Sequence, residues 1–290
     1  MKNLTAFYQS PKFYRSHDGL KLHYRDMGND NGHFVILCLP GLTRNSRDFE
    51  QLASRLGKNN RVICPDFRGR GLSEYDKTWQ NYHPLTYAQD VWTLLDSLSI
   101  NKVAIIGTSL GGLVAMVMAF QNASRLTGVV LNDIGPEINE AGLKRIKKYA
   151  GLLPAVKTWE QAVEQTKQIY GPWLLGLSDD KWLVLAKRAY KENEQKKPVL
   201  DMDVNISTAI KKVGAQKGDS WQLFDALKNI ETLVLRGALS DILSDEILIK
   251  MHKRNPNLKS EIIPDRGHVP LLDEQTSTSA IDKFLQRIKS

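Results

Sequence analysis

Cysteine is nearly absent: Cys38 and Cys64 are the only two in 290 residues. Each lies inside an apolar run, so both read as buried free thiols of a reducing compartment, and a disulfide framework is excluded. The chain also lacks a Cys/His cluster, a His-Glu-x-x-His pair and an acidic glycine-rich loop, so no metal is expected. Neither Gly-x-Gly-x-x-Gly nor a Gly-Lys-Ser/Thr phosphate loop occurs. The opening Met1-Lys2-Asn3-Leu4-Thr5 has no apolar h-region, which argues against a signal peptide and makes the cytoplasm the expected location. One uncharged stretch, residues 103–120, is long enough to suggest a membrane span. Gly107, Ser109, Gly111 and Gly112 interrupt it and no basic cluster flanks it closely, so the span is rejected. The net charge is +8. No helix-turn-helix, zinc-finger or stacking-platform signature accompanies it, so nucleic acid is not an expected partner. There is no internal repeat.

The remaining sequence alternates strands with helices. A strand pair is expected around Asp18-Gly19, with Leu20, Leu22 and Tyr24 alternating with Lys21, His23 and Arg25. Phe34-Val35-Ile36-Leu37-Cys38-Leu39 is continuously apolar, as in a strand buried on both faces of a parallel sheet. Phe49, Leu52, Ala53 and Leu56 have helical spacing. Arg61-Val62-Ile63-Cys64 is a strand, followed by the loop Pro65–Ser73. Thr86 and Gln89 suggest a capping box for the next helix. Strands are also expected at Val103–Ile106, Gly128–Leu131, Leu233–Leu235 and Glu261–Ile263. From 136 to 218 the rhythm breaks. The pattern there is helical, with starts at Thr158 and Ser178 and no buried-strand run. This block carries 15 Lys and Arg against 10 Asp and Glu. The expected organisation is a core of residues 1–135 and 219–290 with a helical cap, or lid, at 136–218 inserted after the sixth strand. The fold class is α/β, with a mostly parallel sheet covered by helices on both faces.

Residues 103–116 organise the site. An apolar β-branched run leads into Gly107-Thr108-Ser109-Leu110-Gly111, and an apolar helix follows. That is the context of a nucleophile elbow: the serine stands on a sharp strand-to-helix turn at the positive end of a helix, and Gly107 and Gly111 leave it room. A serine nucleophile needs a base, and the base needs an orienting carboxylate. In such sheets function gathers at the carboxyl ends of the strands. His268, in a Gly-His turn after the last strand, is the expected base. Asp241, after the second-last strand, is the expected acid. Asp133, which also follows a strand end, is its rival, against the plainer reading of a turn residue ahead of Gly135-Pro136. The backbone N–H groups of Leu42 and Leu110 are the expected oxyanion donors. Arg68 is a candidate for a substrate carboxylate, against the plainer reading that Arg68 and Arg70 pin their own loop. Trp173, Leu174 and Leu175 are candidate substrate-binding residues of the cap.

The chain resembles the α/β-hydrolase superfamily over nearly its whole length. The resemblance rests on Gly107–Gly112, Pro65–Ser73, Leu235–Asp241 and Gly267–Pro270. It departs where Pro40-Gly41 stands in place of the His-Gly of many members; a backbone donor is unaffected by that change. The resemblance implies eight strands, a helical cap after the sixth, and no cofactor. The expected activity is hydrolysis of a small or medium carboxylic ester or lactone through an acyl-enzyme on Ser109. The alternatives are a C–C bond hydrolase acting on a vinylogous diketone acid, and a ligand-binding receptor on the same fold. Expected partners are the small-molecule substrate, an anionic one included, and a second copy of the chain in a homodimer. Neither nucleic acid nor a membrane is expected.

Overall fold

The computed structural model describes residues 10–28, 32, 34–150, 153–212 and 220–289. A first hairpin, β1 (Lys12–Arg15) and β2 (Lys21–Gly28), turns through Asp18-Gly19. Then come β3 (Val35–Leu39), α1 (Glu50–Leu56), β4 (Arg61–Pro65), α2 (Pro84–Ser97), β5 (Val103–Thr108), α3 (Leu110–Asn122) and β6 (Leu126–Asn132). After an excursion the chain rejoins the sheet at β9 (Thr232–Gly237) and, past α9 (Asp245–Arg254), at β10 (Lys259–Ile263); α10 (Gln275–Arg287) closes it. The eight strands lie in the order β1-β2-β4-β3-β5-β6-β9-β10. Only the β1–β2 and β2–β4 pairings are antiparallel. The sheet is thus mostly parallel, as the alternation predicts, with the eight strands that the resemblance implies.

The central strands β3, β5, β6 and β9 are buried on both faces, which explains their unbroken apolar runs. One apolar layer, including Leu94, Val114 and Met118, packs under α2 and α3. The opposite layer, including Phe49, Leu52, Ile281 and Phe284, packs under α1 and α10. Helix α3 is apolar nearly all round because it is enclosed by the sheet, α2 and α8 (Ser220–Asp225). No helix among the described residues is long and apolar enough to cross a membrane.

The excursion between β6 and β9 contains α4 (Glu140–Tyr149), α5 (Trp159–Tyr170), α6 (Asp179–Ala189) and α7 (Asn205–Lys212). Thr158 and Ser178 cap α5 and α6 through Gln161 N and Lys181 N, where the sequence placed their starts. Two expectations fail locally. A two-stranded sheet, β7 (Tyr190–Glu192) with β8 (Pro198–Leu200), stands in the block read as helical. Strands of three residues are too short to impose a visible period. Helix α2 starts at Pro84, two residues before the proposed capping box. His83 caps it and proline occupies the first turn, where its missing N–H costs nothing. The boundary expected at 218 falls within 213–219, outside the described residues.

Candidate active site

Three strand ends converge beside one another, because β5, β6 and β9 are neighbours in the sheet. The end of β5 turns into α3 at Ser109, whose φ of 51° is a left-handed conformation that side chains avoid. The turn is tight enough that a Cβ on Gly111 would sit 2.1 Å from the Leu39 carbonyl oxygen at the end of β3. Glycine at 111 therefore lets the elbow press against the strand whose following loop carries Gly41 and Leu42. Ser109 caps a 13-residue helix, and its Oγ stands at the positive end of the helix dipole.

Ser109 Oγ lies 2.8 Å from His268 Nε2. The other ring nitrogen, Nδ1, lies 2.8 Å from Asp133 Oδ2. An ionised carboxylate can only accept, so Nδ1 carries the proton and Nε2 is left to accept from the serine hydroxyl. The Asp133 carboxylate is fully buried and takes two further hydrogen bonds, from Gly237 N to Oδ1 at 2.8 Å and from Ser240 Oγ to Oδ2 at 2.6 Å. Its backbone N–H donates to Leu235 O at 2.7 Å, clamping the β6 end to β9. Next to it, Asn132 Nδ2 donates to Pro270 O at 3.0 Å and holds the loop that bears His268.

Asp241 is not at the imidazole. Both of its oxygens accept from Arg145 of α4, at 2.6 and 2.7 Å. The loop after β9 does reach the site, but through Ser240. The carboxylate comes from the β6 end, which the sequence reading took for a turn. Asp133 is indeed in a turn, at φ 56°, and that turn is what swings its side chain across to Nδ1.

Arg68 does not reach a substrate either. It is wholly buried and its guanidinium is shared among Asp18, Asp76 and Asp90, with contacts of 2.6–3.1 Å. Burial alone would depress the Arg68 pKa, but Asp90 and Asp18 hold it above the ordinary value. Arg70 is buried too and donates twice to Leu42 O, at 2.9 and 2.7 Å, and once to Tyr87 Oη at 2.8 Å. It thus fixes the loop that follows β3. The plainer reading, that the pair pins its own loop, holds in part: Arg70 donates to Arg68 O at 2.8 Å, while Arg68 reaches Asp18 and Asp90 outside that loop.

A cleft opens over Ser109 and His268. Its walls include Leu42, Leu174, Leu185 and Leu271, with Tyr149 and Tyr170 from α4 and α5. Of the three residues expected from the excursion, only Leu174 lines it. Trp173 and Leu175 instead brace the His268 loop through backbone bonds: Gly267 N donates to Trp173 O at 2.6 Å, and Leu175 N to Asp265 O at 3.1 Å. Burial, and the neighbouring Tyr170, raise the Tyr149 pKa, so this hydroxyl stays neutral in the cleft. Two arginines, Arg44 and Arg188, line the cleft and were not picked out from the sequence. Nothing in the spacing of Arg188 sets it apart from the other cations of 136–218, and Arg44 lies outside that block. Leu110 begins α3, so its N–H has no acceptor within the helix.

The family model described as alpha/beta hydrolase fold matches residues 35–275. The chain is similar to a 3-hydroxybutyrate-oligomer hydrolase from Cupriavidus necator, with 30% identity over 272 residues, 91% of this chain and 92% of that one. It is 25% identical to a 2-(acetamidomethylene)succinate hydrolase from Mesorhizobium japonicum over 92% of each. Among solved structures it superposes on an alpha/beta hydrolase from Novosphingobium aromaticivorans with a TM-score of 0.90 and 40% identity, covering 96% of this chain and 98% of that one.

Proposed function

The chain belongs to the alpha/beta hydrolase fold family, and from that footing we propose that it is a serine hydrolase cleaving a small or medium carboxylic ester. The observation that carries this reading is the unbroken hydrogen-bonded chain from Ser109 through His268 to Asp133, with 2.8 Å at each step. His268 Nε2 takes the hydroxyl proton as Ser109 Oγ attacks the acyl carbon. The backbone N–H groups of Leu110 and Leu42 hold the oxyanion. His268 then returns the proton to the departing alcohol, and water repeats the cycle on the acyl-enzyme. Asp133 keeps the imidazole in the acting tautomer and stabilises its cation.

The excursion, residues 136–218, is read as a cap over the cleft, since Ile146, Tyr149, Tyr170, Leu174, Leu185 and Arg188 contribute to its wall. One relative, the 3-hydroxybutyrate-oligomer hydrolase, favours an ester of a small hydroxy acid over a lactone. The similarity to the 3-hydroxybutyrate-oligomer hydrolase spans 92% of that protein.

Replacing the nucleophile tests the reading. Ser109→Ala is expected to lower kcat on 4-nitrophenyl acetate by at least about 10³-fold with the melting temperature little changed. A fluorophosphonate probe should label the wild type and not the variant. Labelling that survives the substitution would remove Ser109 from the role.

A further inference from the structure

Arg188, in the last turn of α6, carries a buried charge that is only loosely paired. Its side chain is nine-tenths buried, and its Nε has no hydrogen-bond acceptor. The nearest carboxylate, Glu50, stands 3.9 Å from a terminal nitrogen, beyond hydrogen-bonding distance. A guanidinium carries five donors in a fixed fork, and proteins rarely bury one unpaired. The other arginine of the cleft is different. Arg44 meets both oxygens of Asp48, at 2.8 and 2.6 Å, so that pair is closed and neutral. Burial would lower the Arg44 pKa, but Asp48 raises it instead, so the pair stays ionic. Asp48 would repel an anion were it not occupied in this way. Of the two arginines in the wall of the Ser109 cleft, Arg188 is thus the one whose counter-charge, Glu50, makes no hydrogen bond to it.

We propose that Arg188 is a binding residue for a carboxylate of the substrate, so that the preferred ester carries a free acid group. The proposal rests on the serine-hydrolase reading and deepens it. Apolar side chains such as Leu174, Leu185 and Phe49 line the same cleft. A charge-assisted contact counts for more there than at an open surface. A short linear ester of hydroxy acids has the required chemistry: a scissile ester for Ser109 and, a few bonds away, a terminal carboxylate for Arg188. Its hydrolysis consumes one water and gives a hydroxy acid and the shortened acid. The main chain of Arg188 is fixed independently, because Asn45 Nδ2 donates to its carbonyl at 3.0 Å.

The test is competition. Hydrolysis of 4-nitrophenyl acetate is inhibited with the linear dimer of 3-hydroxybutyrate, as the free acid and as its methyl ester. Either compound reports binding, whether or not it is cleaved. In the wild type the acid is expected to inhibit at a concentration at least about tenfold lower than the ester. Arg188→Gln should bring the two to within about threefold of each other, and Arg188→Lys should fall between. Equal inhibition of the wild type by acid and ester overturns the proposal, and so does an Arg188→Gln variant that keeps the full preference. Should Arg188→Gln fail to fold, the wild-type ratio decides alone. Fluorophosphonate labelling runs alongside. A wild type not labelled at Ser109 brings down the serine-hydrolase reading itself. Labelling without acid preference brings down only the anion site.

Discussion

Asp133 satisfies three donors at once, from His268, Gly237 and Ser240. An asparagine there keeps the shape but can donate to Nδ1, which favours the wrong imidazole tautomer. Asp133→Asn is therefore expected to reduce kcat on 4-nitrophenyl acetate by about 10³–10⁴-fold. Asp241→Asn should leave kcat within a few-fold and instead lower the melting temperature, because it loses the paired contact with Arg145. Steady-state rates and thermal melts of the two variants check the ranking. Ser109 and His268 were legible because their local sequences, a glycine-framed turn and a Gly-His turn, are demanded by their own backbone. Asp133 was not. Asp133 and Asp241 both follow strand ends, and which of them meets the imidazole depends on the rotation of a turn and on strand adjacency. Neither is encoded in local composition. Arg188 was hidden for a related reason: its loose pairing with Glu50 is a property of its neighbours.

At the level of elements, apolar runs, alternation and side-chain caps gave all eight strands of the large sheet and the starts of α5 and α6. What stayed hidden was set by contact at a distance. Arg68 reads as a residue that pins its own Pro65–Ser73 loop, yet it is the hub that ties the β1–β2 hairpin, through Asp18, to α2, through Asp90. Removing Arg68 would strand Asp90 and Asp76 in the interior. Arg68→Ala is expected to cost about 3–5 kcal/mol in stability by denaturant titration. The surviving folded fraction should keep its substrate preference. This cluster also predicts an acid limit. Burial pushes the Asp18 pKa up, but hydrogen bonds from Arg68 and Ser16 and the Arg68 charge overcome it and bring it down from 3.8 to about 2. A depressed carboxylate stabilises the fold fully above its unfolded pKa and loses that contribution as pH falls through the folded one. The stability gap between wild type and Asp18→Asn should hold constant above about pH 4 and narrow towards pH 2. A gap that does not change with pH would show that the ion pair contributes nothing.

Over the whole molecule the net charge is +8, and the excursion holds 15 cations against 10 anions. Its exposed lysines, such as Lys144 and Lys148, act through solvent and are screened by salt, whereas Arg188 acts inside the cleft. The two contributions separate by ionic strength. Between ~10 and ~150 mM salt the Debye length shrinks from about 30 to about 8 Å. If the lysines steer an anionic ester, its kcat/KM should fall over that range while a neutral ester of the same size barely responds. Charge reversal at Lys144 and Lys148 should flatten that slope. The acid-over-ester preference assigned to Arg188 should persist at the upper salt limit.

Residues 240 and 241 face opposite ways from adjacent positions in one loop. The hydroxyl of Ser240 holds Asp133, and the carboxylate of Asp241 grips Arg145 of α4. Helix α4 also supplies Ile146 and Tyr149 to the wall of the cleft. A load placed on that helix is therefore borne one peptide bond away from the fastening of the buried acid. Wall and imidazole share an anchorage. A rearrangement of α4 large enough to reshape the cleft must either break the Arg145 bridge or pull on the hydroxyl that keeps Asp133 in line.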